Sequence, residues 1–225
     1  MANQNDSFID EVTEDLRRDR LFGMFRRYGW IAIALIVAIV AGAAWREYSI
    51  ASDRKAAETF GDAILAAEAA EDPAVALGQI AVGQNNEHAA LAGMMEANAL
   101  IEKGDATEAG QRFEAVAGLA GEENRALRDL ARLKMVLAEG ESMDPAMRDQ
   151  VLSQLARPGS PFELLALEQQ VVALMGADRN EDAVTLIRQI QQKDGLSEGL
   201  RRRLSEMMIA MGVEPEPTDI TPAVE

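Results

Sequence analysis

Few residues in this sequence could perform chemistry. His88 is the single histidine and cysteine is absent, which excludes thiol nucleophiles, disulfides and cysteine-ligated metals. His88 falls in a predicted helix start, where we interpret it as a solvated capping residue rather than a base or ligand. Paired acids such as Glu122-Glu123 and Glu181-Asp182 also lie at predicted helix starts, where the helix dipole favours them. The sequence contains no glycine-rich phosphate loop. We therefore expect no enzymatic activity, no cofactor and no small-molecule substrate.

The elements that would position any functional residue repeat with a period of 36. Four glycines share this spacing, and the residues three, four and five positions before each of them are all apolar, in a chain that is 48% hydrophobic. The glycines are Gly104, Gly140, Gly176 and Gly212. We interpret each as the end of a helix that closes with a glycine in the left-handed conformation.

A second helix is predicted after each of the first three glycines. Asp105, Asp144 before Pro145, and Asn180 are the expected start sites, because short polar side chains cap the free N–H groups of a first turn. Each unit is then a helix hairpin, which must stack on its neighbours to bury its apolar face. Earlier, Asp72-Pro73 starts a helix predicted to run through Val82. The predicted fold is all-α, a solenoid of about three to four hairpins.

The repeats resemble tetratricopeptide repeats, whose unit is about 34 residues long. The clearest match is 89–117, where Gly104-Asp105 occupies the turn, Ala109 the small packing position and Phe113 the aromatic position. The 36-residue spacing marks these repeats as divergent. The resemblance implies a groove lined by the first helices, facing a partner protein.

Four polar residues lie six positions before the periodic glycines: Asn98, Lys134, Gln170 and Glu206. The resemblance implies that this helix position faces the groove, so we predict a polar strip that contacts a partner segment; simple solvation of these side chains is the alternative. The basic clamp that some family members use for C-terminal carboxylates would need Lys or Arg one turn earlier. Those places hold Met94, Leu130, Ala166 and Arg202, so we expect no such clamp.

An uncharged stretch of 18 residues, 28–45, precedes the repeats. As a helix it would measure about 27 Å, close to the thickness of a hydrocarbon core of about 30 Å. Aromatic and basic residues stand at its ends as interface anchors: Tyr28, Trp30, Trp45, Arg26 and Arg27. We predict a membrane-spanning helix; a buried helix of a soluble protein and a cleaved signal peptide are the alternatives. Ala34, Ala38 and Gly42 form a small-residue ladder that could pack against another membrane helix.

The distribution of charge predicts the orientation. Five Arg lie in the segment before Tyr28, and fewer basic residues follow Trp45 closely, which places the N-terminus in the cytoplasm. Nearly all of the formal charge of −16 lies after Trp45, so nucleic-acid binding is not expected. The predicted organisation is a cytoplasmic segment at 1–27, a transmembrane helix at 28–45, an exoplasmic repeat domain at 46–212 and a disordered tail at 213–225.

The full layout is similar to the YfgM-like ancillary subunits of the bacterial SecYEG translocon. The residues that carry the similarity run from Gly42 to Ile64 (GAAWREYSIASDRKAAETFGDAI) and lead into the repeats. The resemblance implies an inner-membrane protein with a periplasmic repeat domain. It also implies association with translocon subunits and periplasmic chaperones, including a membrane-anchored prolyl isomerase. An envelope scaffold for cell-wall assembly or division is the alternative function.

Overall fold

The computed structural model describes the backbone of residues 4–83 and 85–215, and the side chains of 26–31, 33–83, 85–140 and 142–215. The predicted tail at 213–225 therefore lies mostly outside the described residues. The chain divides into two compact units between Gly61 and Asp62. Every regular element in the described part is helical, which confirms the predicted all-α fold.

Helix α1 spans Gln4–Glu68 and contains 65 residues. At 1.5 Å per residue it is about 97 Å long. It continues without a break through both ends of the predicted membrane segment, as the run of good helix formers allows. All of the described residues from 26 to 59 are exposed except Gly29, which is half-buried.

The second unit contains the end of α1 and eight shorter helices. These are α2 (Pro73–Gly78), α3 (Asn86–Lys103), α4 (Ala106–Ala120), α5 (Arg125–Glu139), α6 (Pro145–Leu155), α7 (Glu163–Gly176), α8 (Asn180–Gln191) and α9 (Glu198–Ala210). A 3-10 turn at Gly140–Ser142 precedes α6. Helices α3/α4, α5/α6 and α7/α8 form the three predicted hairpins, and α9 packs after them.

The predicted second-helix starts are confirmed to within one residue. Asp105 and Asp144 are the N-caps of α4 and α6, and the Asp144 carboxylate accepts a hydrogen bond from the Met147 N–H at 2.9 Å. Asn180 is the first helical residue of α8 rather than its cap, because Arg179 occupies the cap position. Helix α2 is shorter than predicted and ends at Gly78, not at Val82.

Three of the four periodic glycines have a positive φ: 92° at Gly104, 54° at Gly140 and 77° at Gly212. The prediction for Gly176 is wrong, because that residue is still helical and closes α7. Helix α7 runs through its periodic glycine, whereas α3 and α5 end one residue before theirs, and Asp178 takes the positive φ of 56° instead. An aspartate tolerates this conformation better than most residues with a side chain, since it can hydrogen-bond locally.

Two buried apolar clusters hold the helices together. The first joins α2 to α6, with Phe113 fully buried near its centre, and also includes Ala166 of α7. The second joins α7, α8 and α9. Glycines let α4 approach its neighbours closely: a Cβ on Gly93 of α3 would lie 2.7 Å from Val116 Cγ2, and one on Gly110 would collide with the Glu139 carboxylate. Close helix packing thus depends on small residues at these contacts.

Candidate protein-binding groove

The predicted polar strip lies on the first helix of each hairpin and on α9. Its first two members meet directly: Lys134 Nζ donates a hydrogen bond to Asn98 Oδ1 at 2.7 Å. Asn98 belongs to α3 and Lys134 to α5. Because these residues are one full repeat apart, the contact shows that equivalent positions on α3 and α5 come within reach of each other's side chains.

Lys134 also contacts a third helix. Its ammonium lies 5.4 Å from the centroid of the Phe113 ring on α4, within the range of a cation–π interaction. Phe113 is fully buried, whereas Lys134 and Asn98 are half-buried. The lysine stem therefore covers the core while its charged end remains near the surface, so that two of its three N–H donors stay available to a partner.

The other two members of the strip are less constrained. Gln170 on α7 is half-buried, and Glu206 on α9 is exposed. Glu206 pairs with Arg202 of its own helix at 3.8 Å rather than with another member of the strip. The structure thus joins Asn98 to Lys134 and places the remaining two at the equivalent positions of later helices.

The residues one turn earlier form no basic clamp. Met94 and Ala166 are buried, Leu130 is half-buried, and only Arg202 is basic and exposed. One isolated guanidinium does not provide the paired cations that such a clamp requires.

A buried ion pair was not anticipated from the sequence. Glu168 of α7 is only 5% exposed, and the guanidinium of Arg203 on α9 donates two hydrogen bonds of 2.6 and 2.8 Å to its carboxylate. This carboxylate raises the pKa of Arg203. The available signal was a single acid in an otherwise apolar run, 164–168, followed 35 residues later by a basic residue.

A second pair connects the first hairpin. Glu96 of α3 and Arg112 of α4 lie 2.6 Å apart and both are partly buried. Desolvation raises the pKa of Glu96, although the nearby Arg112 acts in the opposite direction. Like the pair on α7 and α9, this contact orients neighbouring helices.

The apolar residues at the ends of the first helices are exposed. Ile101 is 41% exposed, Leu137 53% and Ile209 61%. We call these three residues the apolar ladder. Successive members are 36 and 72 residues apart, and each lies three positions after a member of the polar strip. Residues three apart on a helix are neighbours on its surface. The sequence pattern revealed their equivalence but not their exposure.

The N-terminal unit presents the predicted membrane-facing residues. In the described part of the chain, one helix is long and apolar enough to cross a membrane, judged by length and composition alone. Tyr28, Trp30 and Trp45 are 54%, 67% and 75% exposed. The Arg27 guanidinium lies 5.9 Å from the Tyr28 ring centroid, and Arg26 is exposed. This exposure suits a helix whose surroundings are lipid.

The small-residue ladder, Ala34, Ala38 and Gly42, lies on one side of α1, since its members are four residues apart. All three are exposed, and a Cβ on Gly42 would meet nothing within 4 Å. Its role in helix packing stays a prediction.

His88 differs in detail from its predicted role. The cap of α3 is Asn85, whose side-chain oxygen accepts hydrogen bonds from the N–H groups of Glu87 and His88 at 3.0 and 3.1 Å. Among the described residues no cluster of three or more His, Asp or Glu could hold a metal ion.

The helix hairpins stack on one another, and the first helix of each hairpin is partly exposed. This arrangement defines a helical-repeat protein. Residues 25–193 match the family model of the Tetratricopeptide repeat-like domain. Because the match covers most of the chain, this protein belongs to that family. No curated protein and no solved structure matches the chain.

Proposed function

We propose that the repeat domain is a protein-binding scaffold without catalytic activity of its own. The observation that carries this proposal is the contact between Asn98 and Lys134, which brings together equivalent positions on the first helices of two successive hairpins. Membership of the repeat family supports binding to a protein partner in general. The acidic balance of the domain disfavours nucleic acid.

The same proposal places the chain in the bacterial inner membrane. Residues 1–27 lie in the cytoplasm, 28–45 cross the bilayer, and the repeat domain at 46–212 faces the periplasm. The exposed apolar surface of α1, its terminal aromatics and the arginines before Tyr28 support this arrangement. The family match begins at residue 25, so it includes the apolar segment together with the repeats.

The partners we propose are subunits of the Sec translocon and periplasmic chaperones, including a prolyl isomerase. The support is the layout of an anchor followed by repeats, which is similar to that of translocon-associated proteins. Such a position would keep the groove close to chains that emerge from the channel, where a scaffold could recruit folding factors.

Site-specific photocrosslinking in intact membranes tests the partner. A photoreactive amino acid at position 98 or 134 should trap translocon subunits or periplasmic chaperones. The same amino acid at Glu123, an exposed residue in the turn before α5, serves as the matched control and should trap much less. Recovery of cell-wall enzymes alone, together with septal localisation of a fluorescent fusion, would favour the alternative of a scaffold for cell-wall assembly or division.

Reporter fusions test the topology. A phosphatase that is active only in the periplasm should be active when fused after residue 215. It should be inactive when fused after residue 27. The reverse pattern would refute the orientation, and a shortened mature chain lacking residues 1–45 would show that the apolar segment is a cleaved signal.

A further inference from the structure

The members of the apolar ladder lie at equivalent positions of α3, α5 and α9. Asn98 and Lys134 are in direct contact, and Ile101 and Leu137 lie three residues further along the same two helices. At the next equivalent position α7 has the short, half-buried Ala173, and α9 has the exposed Ile209. Large exposed apolar side chains therefore lie at the equivalent positions before and after Ala173.

The spacing of the ladder limits the shape of its occupant. Helices in direct side-chain contact lie about 8–10 Å apart, so successive ladder positions should be separated by a similar distance. Seven residues of an α-helix span about 10.5 Å. A partner helix that crosses the first helices and carries one apolar residue in every heptad therefore matches the ladder.

An anionic rim borders the ladder. Just beyond the end of each first helix, the chain carries an acidic residue; the described ones, Asp105, Asp178 and Glu214, are all exposed. The C-terminal end of each helix adds a partial negative charge of roughly half an elementary unit. Residues 62–215 contain 26 acidic and 14 basic residues, so the surroundings reinforce this charge.

The basic residues closest to the rim in sequence are already paired. Lys103 Nζ lies 2.8 Å from Asp72 Oδ2, and Arg179 Nη2 lies 2.7 Å from Asp182 Oδ2. Because each of these cations has a closer carboxylate partner, the rim keeps a net negative charge that can attract cations from another molecule. A second copy of this chain would bring an equally acidic surface and would be repelled.

We propose that the groove takes a cationic amphipathic helix of a partner protein. Its apolar side chains contact Ile101, Leu137 and Ile209, and its Lys or Arg side chains face the acidic rim. This inference rests on the proposed function, because it names the chemistry of the partner that the same groove would bind. Charge would speed association and set specificity, while the ladder would supply the apolar burial.

Labelled peptides binding to the full-length protein test this inference. The protein is placed in nanodiscs of phosphatidylcholine, a neutral lipid that does not attract cationic peptides, and binding is followed by fluorescence anisotropy. Three peptides of about 22 residues, or three heptads, are compared. The first has heptad-spaced Leu with Lys, the second the same Leu with Glu, and the third the Lys composition with scrambled Leu positions. Empty nanodiscs provide the background.

The wild-type protein should bind the heptad Lys peptide at least about tenfold more tightly than either of the others. Leu137→Ser combined with Ile209→Ser should weaken this binding about tenfold or more, because the ladder loses its apolar contacts. Met147→Ser is the matched control, since Met147 is 40% exposed on the second helix α6, and should leave the affinity unchanged.

Removal of the rim charges should act mainly through electrostatics. Asp105→Asn with Asp178→Asn keeps the shape of both side chains and should weaken binding about threefold at low salt, with a smaller difference at high salt. Glu87→Gln with Glu123→Gln removes the same charge from the opposite ends of the hairpins and should change little.

Equal binding of the Lys and Glu peptides, insensitivity to the ladder substitutions, or no binding of any peptide would each overturn the inference. These results would leave the proposed function standing if photocrosslinking at residue 98 or 134 still trapped a specific partner. If crosslinking there also fails while the protein is folded and inserted, the proposed groove itself is refuted.

Discussion

The pair formed by Glu168 and Arg203 should be the strongest electrostatic contact between α7 and α9. Truncation of Arg203 to alanine leaves a carboxylate that is only 5% exposed without its partner. Breaking a fully buried pair costs about 3–5 kcal/mol. Because the Arg203 side chain is 46% exposed, water screens part of this interaction, and we expect a loss of about 1–2 kcal/mol.

The effect should be local, because repeat arrays are stabilised mainly by contacts between neighbouring units. Hydrogen–deuterium exchange of the full-length protein, read by mass spectrometry, can measure it by segment. In Arg203→Ala, amides of α9 should exchange about 5–30-fold faster, which corresponds to the expected loss of about 1–2 kcal/mol. Amides of α4, which belongs to the other apolar cluster, should keep their protection.

Arg202→Ala is the matched control. Arg202 is the adjacent residue on the same helix, but its pair with Glu206 is 3.8 Å long and both side chains are mostly exposed. Its loss should change exchange by less than about threefold, as is usual for surface pairs. If both substitutions accelerate exchange in α9 equally, the two hydrogen bonds to Glu168 add nothing to stability and this reasoning is wrong.

Three further predictions concern the hairpin turns and close contacts. Gly93→Ala should lower the free energy of unfolding by about 1–3 kcal/mol, because its Cβ would lie 2.7 Å from Cγ2 of the fully buried Val116. Gly118→Ala on α4, with nothing within 4 Å, should instead raise it by up to about 1 kcal/mol in denaturant titrations. Burial and a neighbouring carboxylate raise the pKa of Glu139. The contribution of this group to the stability of the fold is therefore present at low pH and is lost as the pH rises through the raised pKa. Glu139→Gln should stabilise the protein at pH 7 and flatten the pH dependence of its stability in thermal melts. Gly104→Ala, at φ 92°, should lower the melting temperature, and Asp178→Gly should raise it, because glycine adopts positive φ without steric cost.

The hairpins could be predicted because the residues that begin and end their helices act locally. Asp105, Asp144 and Gly104 act through the backbone groups of their own turns, so residue type and spacing were sufficient. The prediction for Gly176 failed because α7 continues through it, and the positive φ falls on Asp178 two residues later. A 36-residue period identifies equivalent places in the sequence, but a change in helix length alters which residue must adopt the special conformation.

The site was predictable in part. The period placed Asn98 and Lys134 at equivalent positions, and the structure brings their side chains into contact; their role in binding a partner stays a prediction. The period did not reveal the Glu168–Arg203 pair, whose members are offset from the period by one residue. Such a pair depends on how α9 packs against α7, which is a tertiary property that no local pattern encodes.

Adjacent residues at the ends of the first helices separate stability from binding. Leu100 is 5% exposed, Val136 3% and Met208 0%, whereas the residue that follows each of them is a member of the apolar ladder. Successive helical residues point about 100° apart, so the first of each pair fills the core and the second faces outward. Substitutions of Leu137 should therefore affect recognition with little loss of stability, while substitutions of Val136 should do the reverse. A surface arranged in this way can change its partner without changing the fold that carries it.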